Sequence, residues 1–209
     1  MTSLLIALVA CPALLASNEA IRQGQSKDRR EEHRARRCNL IVTCASPSKM
    51  SSEIDRQKVV LKNNKLYIST GTSDNPGHPF AGYYLPYPDA EYEGIVSSIT
   101  DVAPIMNWIY VDKDTYEVKY GVRVDAQPNI TGPFSCTRQD RRMTLEGWEG
   151  FVAVKNMEGD GLWSLYFDRD DDGLREKLGL GKVVLEVELS RWEVRMPRPE
   201  GPQGWRKTE

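Results

Sequence analysis

"KVVLKNNKLYIS", residues 58–69, decides the fold. Two short apolar strands flank a polar turn, and Asn63-Asn64 tolerates the positive φ that a tight β-hairpin needs. The same design returns twice. "NWIYV" (107–111) and "YEVKYGVRV" (116–124) flank "DKDT", and "GFVAV" (150–154) and "LWSLYF" (162–167) flank "KNMEGDG". "GIVSSIT" (94–100) reads as a further strand. "KVVLEVELSRWEV" (182–194) alternates with period two, placing Val183, Leu185, Val187 and Leu189 on one face of a long strand. Successive hairpins with few helical patterns predict a mainly β protein, an antiparallel barrel or sandwich with an N-terminal charged helix.

Around this core the chain divides as follows: residues 1–16 an apolar extension or signal peptide, 17–45 a basic helix and the segment after it, 46–57 a linker, 58–194 the β-rich domain, 195–209 a disordered tail. The helix, residues 18–37, starts at a Ser17 or Asn18 cap with Glu19 in its first turn. Its apolar residues are only Ala20, Ile21 and Ala35, which predicts a surface position outside the core. Residues 71–90, "GTSDNPGHPFAGYYLPYPDA", carry four prolines and three glycines and read as one long ordered loop. Trp108, Trp163 and Trp192 fall within strands and are expected in the core or between sheets.

Hydrophobic residues make up 40% of the 209 residues and charged residues 28%, with a formal net charge of −2. That balance suits a soluble globular protein and argues against nucleic acid as a partner. "LLIALVACPALLA", residues 4–16, is too short to span a bilayer. It has the length of a signal-peptide core, but no Lys or Arg precedes it and the cleavage options are poor. The expectation is an intracellular, cytoplasmic protein that keeps this segment, with secretion as the alternative if residues 1–16 act as a signal. Cys11, Cys38, Cys44 and Cys136 form no CxxC pair. They read as scattered reduced thiols, although a Cys38–Cys44 disulfide fits the spacing.

Chemistry concentrates in few places. "YFDRDDDGL", residues 166–174, puts Asp168, Asp170 and Asp172 at alternate positions before Gly173. These would fill positions 1, 3, 5 and 6 of an EF-hand loop, but Gly179 stands where the twelfth-position carboxylate belongs. "YVDKDT" (110–115) repeats the aromatic–Asp–base–Asp pattern in a hairpin turn, so a capped turn is the first reading. A weak calcium site at Asp168, Asp170 and Asp172 is the alternative, and no other cofactor is expected. No HExxH, GxSxG, Walker A or GxGxxG motif occurs. The candidate ligand-binding residues are His78, Phe80, Tyr83 and Tyr84 in the Pro-rich loop, with Tyr87 beside them. Arg138, Arg141 and Trp148 in "CTRQDRRMTLEGWEGF" (136–151) complete the set, since arginine forks beside a tryptophan suit an anionic ligand.

"ASNEAIRQGQSKDRREEHRARRCNLIV", "GHPFAGYYLPYP", "NWIYVDKDTYEVKYG", "TGPFSCTRQDRRMTLEGWEGFVAV" and "LWSLYFDRDDDGL" together resemble a family of small uncharacterised proteins from filamentous fungi. The resemblance covers roughly residues 15–194 and implies no activity, cofactor or site residue. Two functional expectations follow. The first is a non-enzymatic binding or interaction module for an unknown protein or small molecule. The second is an accessory enzyme or carrier in fungal small-molecule (secondary metabolite) biosynthesis, its ligand held in a barrel mouth. An apolar pocket of roughly 300 Å³ with converging polar groups would favour the second, and a filled core the first.

Overall fold

A computed structural model describes residues 19, 22–25, 31–72, 75–100, 105–156, 162–179 and 181–194. The apolar stretch 4–16 and the tail expected over 195–209 lie outside the described residues, as do parts of the expected helix 18–37. Helical backbone is present at residues 19, 22–25 and 31–35.

Thirteen strands are described: β1 (Cys38–Cys44), β2 (Val59–Lys62), β3 (Lys65–Ile68), β4 (His78–Pro79), β5 (Gly82–Pro86), β6 (Glu93–Ser98), β7 (Met106–Val111), β8 (Val118–Gly121), β9 (Phe134–Cys136), β10 (Met143–Leu145), β11 (Phe151–Lys155), β12 (Trp163–Phe167) and β13 (Val184–Glu193). Every pairing is antiparallel. β1 pairs with β13 and β5, β5 with β6, and β9 with β10. β6 lies against β9 and β10 against β13, which closes a six-strand barrel. Closure leaves the barrel strands no free edge.

The hairpins β2–β3, β7–β8 and β11–β12 also pair with one another, while β7 and β11 continue onto β6 and β13 of the barrel. Lys65 of β3 faces Lys119 of β8, Ile68 of β3 faces Trp163 of β12, and Glu117 bridges to Tyr166. The hairpins leave from the C-terminal ends of β1, β6 and β10 and so gather at one end of the barrel. The chain thus runs three times through one plan of barrel strand, hairpin and barrel strand. The interior is filled with side chains: Leu40, Ile68, Phe80, Ile95, Phe134, Leu145, Phe151, Trp163 and Leu189 are all at most 2% exposed. At roughly 1.5–3 kcal/mol for each large apolar side chain, this burial supplies the main driving force.

The hairpins form as expected, and both Asn63 (φ 49°) and Asn64 (φ 62°) take the left-handed conformation. Other expectations need correction. Residues 38–44 belong to the β domain, because β1 pairs along its whole length with β13, from Cys38–Glu193 to Cys44–Val187. Residues 46–57 are no linker. They hold a 3-10 turn, Ser51–Glu53, followed by the fully buried Ile54. Residues 71–90 are not one loop, since β4 and β5 lie within them. Pro79 sits on the edge strand β4 and Pro86 ends β5, positions that tolerate a missing N–H. Residues 122–124 leave the strand for a short helix, Arg123–Ala126, where Asp125 Oδ2 accepts from the Val122 amide at 3.3 Å. Trp163 is core, but Trp192 is 68% exposed because it occupies the outward phase of β13. Cys38 and Cys44 stand at opposite ends of one strand, about 20 Å apart, so no disulfide joins them.

β1 carries the core residues Leu40 and Val42 and closes the barrel against β13. A chain beginning at Ser46 is therefore expected to lose its cooperative thermal transition by circular dichroism. A sharp melt close to that of the full chain would show that β1 is dispensable.

Candidate functional site

The sequence-chosen binding residues do not share one surface. Phe80 is fully buried and Tyr84 is 3% exposed, so neither offers a face to a ligand, which corrects that expectation. Tyr87 is buried with its ring edge-on to Trp108 at 4.8 Å. Tyr83 is half-buried on β5, and His78 is half-buried on β4 opposite Leu61. Arg138 is exposed. Arg141 is tied to Glu193 at 3.0 Å. Trp148 is half-buried and packs edge-on to Phe167 at 5.6 Å.

The three aspartates face three different partners. Asp168 is 6% exposed, and its two carboxylate oxygens accept from the backbone N–H of Asp172 (3.3 Å) and Gly173 (2.8 Å). Asp172 accepts from the Glu176 amide at 3.1 Å. Asp170 bonds to Tyr116, whose hydroxyl it holds above the usual tyrosine range. Asp171, Gly173 and Leu174 have positive φ. This is a turn built on Asp168. Among the described residues no group of three His, Cys, Asp or Glu side chains is placed to hold a metal ion.

A cleft of about 350 Å³ opens where the Ser51–Glu53 turn meets the β11–β12 hairpin. Reciprocal bonds build the turn: the Ser51 amide donates to Ser48 Oγ (2.9 Å), and the Ser48 amide to Ser51 Oγ (2.6 Å). Glu53 then projects toward β11. The β11–β12 register sets Lys155 directly opposite Trp163. Lys155 Nζ meets both Glu53 oxygens at 3.0 and 2.9 Å, and Trp163 Nε1 donates to Glu53 Oε2 at 3.3 Å. The bond from Lys155 holds the Glu53 carboxyl below the usual glutamate range. Asn156 Oδ1 accepts from Ser164 Oγ at 2.8 Å, which fixes the amide at the cleft wall. Gln57, Thr70 and Thr72 complete a polar lining. Glu53 and Lys155 are 102 residues apart in sequence, and no local pattern joins them.

The opposite end of the barrel is shut by charge. Arg191 is 5% exposed, and all five of its N–H groups find acceptors. Nε donates to Cys38 Sγ (3.1 Å), and Nη1 to His33 Nδ1 (3.1 Å) and Cys136 Sγ (3.9 Å). Nη2 donates to the carbonyls of His33 and Arg36, both at 3.4 Å. Those carbonyls end the helical turn 31–35, where the helix dipole is negative. Arg34, 9% exposed, pairs with Glu93 and donates to Phe134 O at 3.3 Å. Both guanidinium groups stand over the Tyr84 ring, at 4.1 Å for Arg34 and 4.6 Å for Arg191. The helix is thus docked by arginine rather than by apolar residues. One sequence signal pointed here: Arg191 continues the inward phase of Val187 and Leu189.

Three substitutions test these roles. Asp168→Ala is expected to lower stability by ~1–3 kcal/mol, since it strands two amides in a buried turn. Asp170→Ala should cost clearly less, and equal losses in denaturant unfolding would contradict the turn. Arg191→Lys keeps the charge but not the five-donor fork, and should cost ~1–3 kcal/mol in the same assay. A neutral result would mean that the fork does not hold the helix.

Among the described residues no helix is long and apolar enough to cross a membrane. Neither the curated proteins nor the solved structures gave a match. A model of the fungal β-trefoil domain family matches residues 16–195. Its threefold name fits the three strand–hairpin–strand units, and its span takes in the docked helix as well as the barrel. The chain belongs to the fungal β-trefoil domain family.

Proposed function

We propose that this protein is a non-enzymatic binding module whose ligand site is the polar cleft at Glu53, Lys155 and Asn156, with the buried Trp163 positioning Glu53. The cleft carries the proposal: it is large enough for a small molecule, and its walls present a paired cation and carboxylate with amide and hydroxyl groups around them. A β-trefoil fold is in keeping with a binding or interaction role. The barrel interior, by contrast, is occupied by side chains, and Arg191 with the helical turn fills its mouth. A filled barrel speaks against the carrier reading, which places the ligand in the barrel mouth. The lining favours a small polar ligand, neutral or zwitterionic, over an apolar metabolite or a bare anion, because Lys155 is already matched by Glu53.

The test is a thermal-shift screen of sugars, polyols, amino acids and nucleosides against the full chain, Glu53→Gln and Lys155→Met. A true ligand at a hundred times its Kd should stabilise the wild-type protein by about 2.7 kcal/mol. The expected result is a shift that both substitutions abolish. A shift that neither substitution touches would move the site elsewhere, and mass-spectrometric turnover of a bound compound would favour the enzyme reading. The free thiols Cys38, Cys44 and Cys136 suit a reducing compartment and support an intracellular protein. Recovery of the protein from culture medium would overturn that placement.

A further inference from the structure

His33 is the one titratable imidazole in the seal at the barrel end, and its surroundings are arranged around its neutral form. Arginine has no acceptor, so the 3.1 Å contact from Arg191 Nη1 makes Nδ1 the acceptor and puts the ring proton on Nε2. Nε2 lies 3.4 Å from Glu193 Oε1. We propose that docking of the helical turn 31–35 onto the barrel is a proton-sensitive latch, in which protonation of His33 turns the Arg191 contact from a hydrogen bond into a clash of two donors and releases the turn.

The charges facing the ring favour release on protonation. From β13 come Arg191 and Glu193, from the β9–β10 turn Arg141, and from its own segment Arg36. Three cations therefore oppose one carboxylate, and that carboxylate is already held by Arg36 (3.3 Å) and Arg141 (3.0 Å). The remaining groups of the seal are Cys38 on β1, Cys136 on β9, Tyr84 on β5 and the Arg34–Glu93 pair. Cys38 is a protonated thiol, pushed up by burial, so it supplies no counter-charge. Burial first, and then Arg191, depress the pKa of His33 from its ordinary 6.5. The sign follows. The undocked state binds the proton more readily, so docking is at full strength above about pH 6.5 and weakens as pH falls below it.

Undocking uncovers Arg191, Tyr84 and both thiols while the β1–β13 pairing stays in place. Hydrogen exchange read by mass spectrometry on the full chain tests this at pH 7.5 and 5.5, corrected for intrinsic rates. In the wild type, residues 31–37 should lose up to about tenfold in protection at pH 5.5, because a single proton changes the opening equilibrium at most tenfold per pH unit. β1 and β13 should hold. His33→Gln offers an acceptor to Arg191 and a donor to Glu193 without titrating, so its protection should be the same at both pH values. Equal wild-type protection at both, or a loss that His33→Gln shares, would overturn the latch. Should His33→Gln fail to dock even at pH 7.5, NMR titration of the wild-type ring decides. The chain has only two histidines, so the signal is assignable with His78→Gln. A His33 pKa below 6.5 supports the latch, and one at or above it refutes the latch.

Discussion

A guanidinium sealed in the end of the barrel is the constraint around which the rest is arranged. Burying an unpaired cation costs several kcal/mol, and among the described residues no carboxylate bonds to Arg191. The charge is offset by a set of neutral partners instead: two helix-terminal carbonyls, an imidazole, two thiols and a tyrosine face. The carbonyls and the imidazole come from the helical turn, the thiols from β1 and β9 and the ring from β5, so the cation on β13 has its partners only when all of these are in place. The interaction therefore specifies a unique end to the barrel as much as it stabilises one.

The two ends of the molecule divide the work. At the far end the three hairpins pair with one another, and their contacts are apolar at Ile68 and Trp163 and ionic between Lys65 and Glu117, 2.9 Å apart. Asp112 shows the pattern in miniature. Burial works against its charge, but Lys119 at 2.7 Å and the amides of Thr115 and Asp114 bring its pKa to about 2. The barrel is filled and one end sealed, and the cleft of about 350 Å³ opens where the loop before β2 meets the β11–β12 hairpin. That is where Glu53 and Lys155 stand.

Much of the architecture was legible in the sequence because it is local. Period-two alternation and turn chemistry identify the hairpins at Asn63-Asn64, at "DKDT" and before "LWSLYF", and Asp168 reads correctly as the cap of a turn. What was not legible is what depends on long-range pairing. β1 looks like no more than the segment after a charged helix until its register with β13 is known. The proline count of residues 71–90 hides β4 and β5, because strand edges and ends accept proline. Phe80 and Tyr84 look like an exposed aromatic platform, but the inward phase of β5 and its approach take both into the core. The cleft joins residues about a hundred positions apart, and composition carries no trace of that. Arg191 is the exception: a charged residue on the apolar phase of the most regular strand is a signal of a buried partner set.

Residues from the helical turn to β13 form one closed unit, locked by Arg191 over Tyr84. NMR of the arginine side chains tests it directly. A single, slowly exchanging Nε–H is expected for Arg191, with nuclear Overhauser contacts to the Tyr84 ring and to the Cys38 β-protons. An Arg191 Nε–H that exchanges rapidly with water and shows no contact to Tyr84 would contradict it.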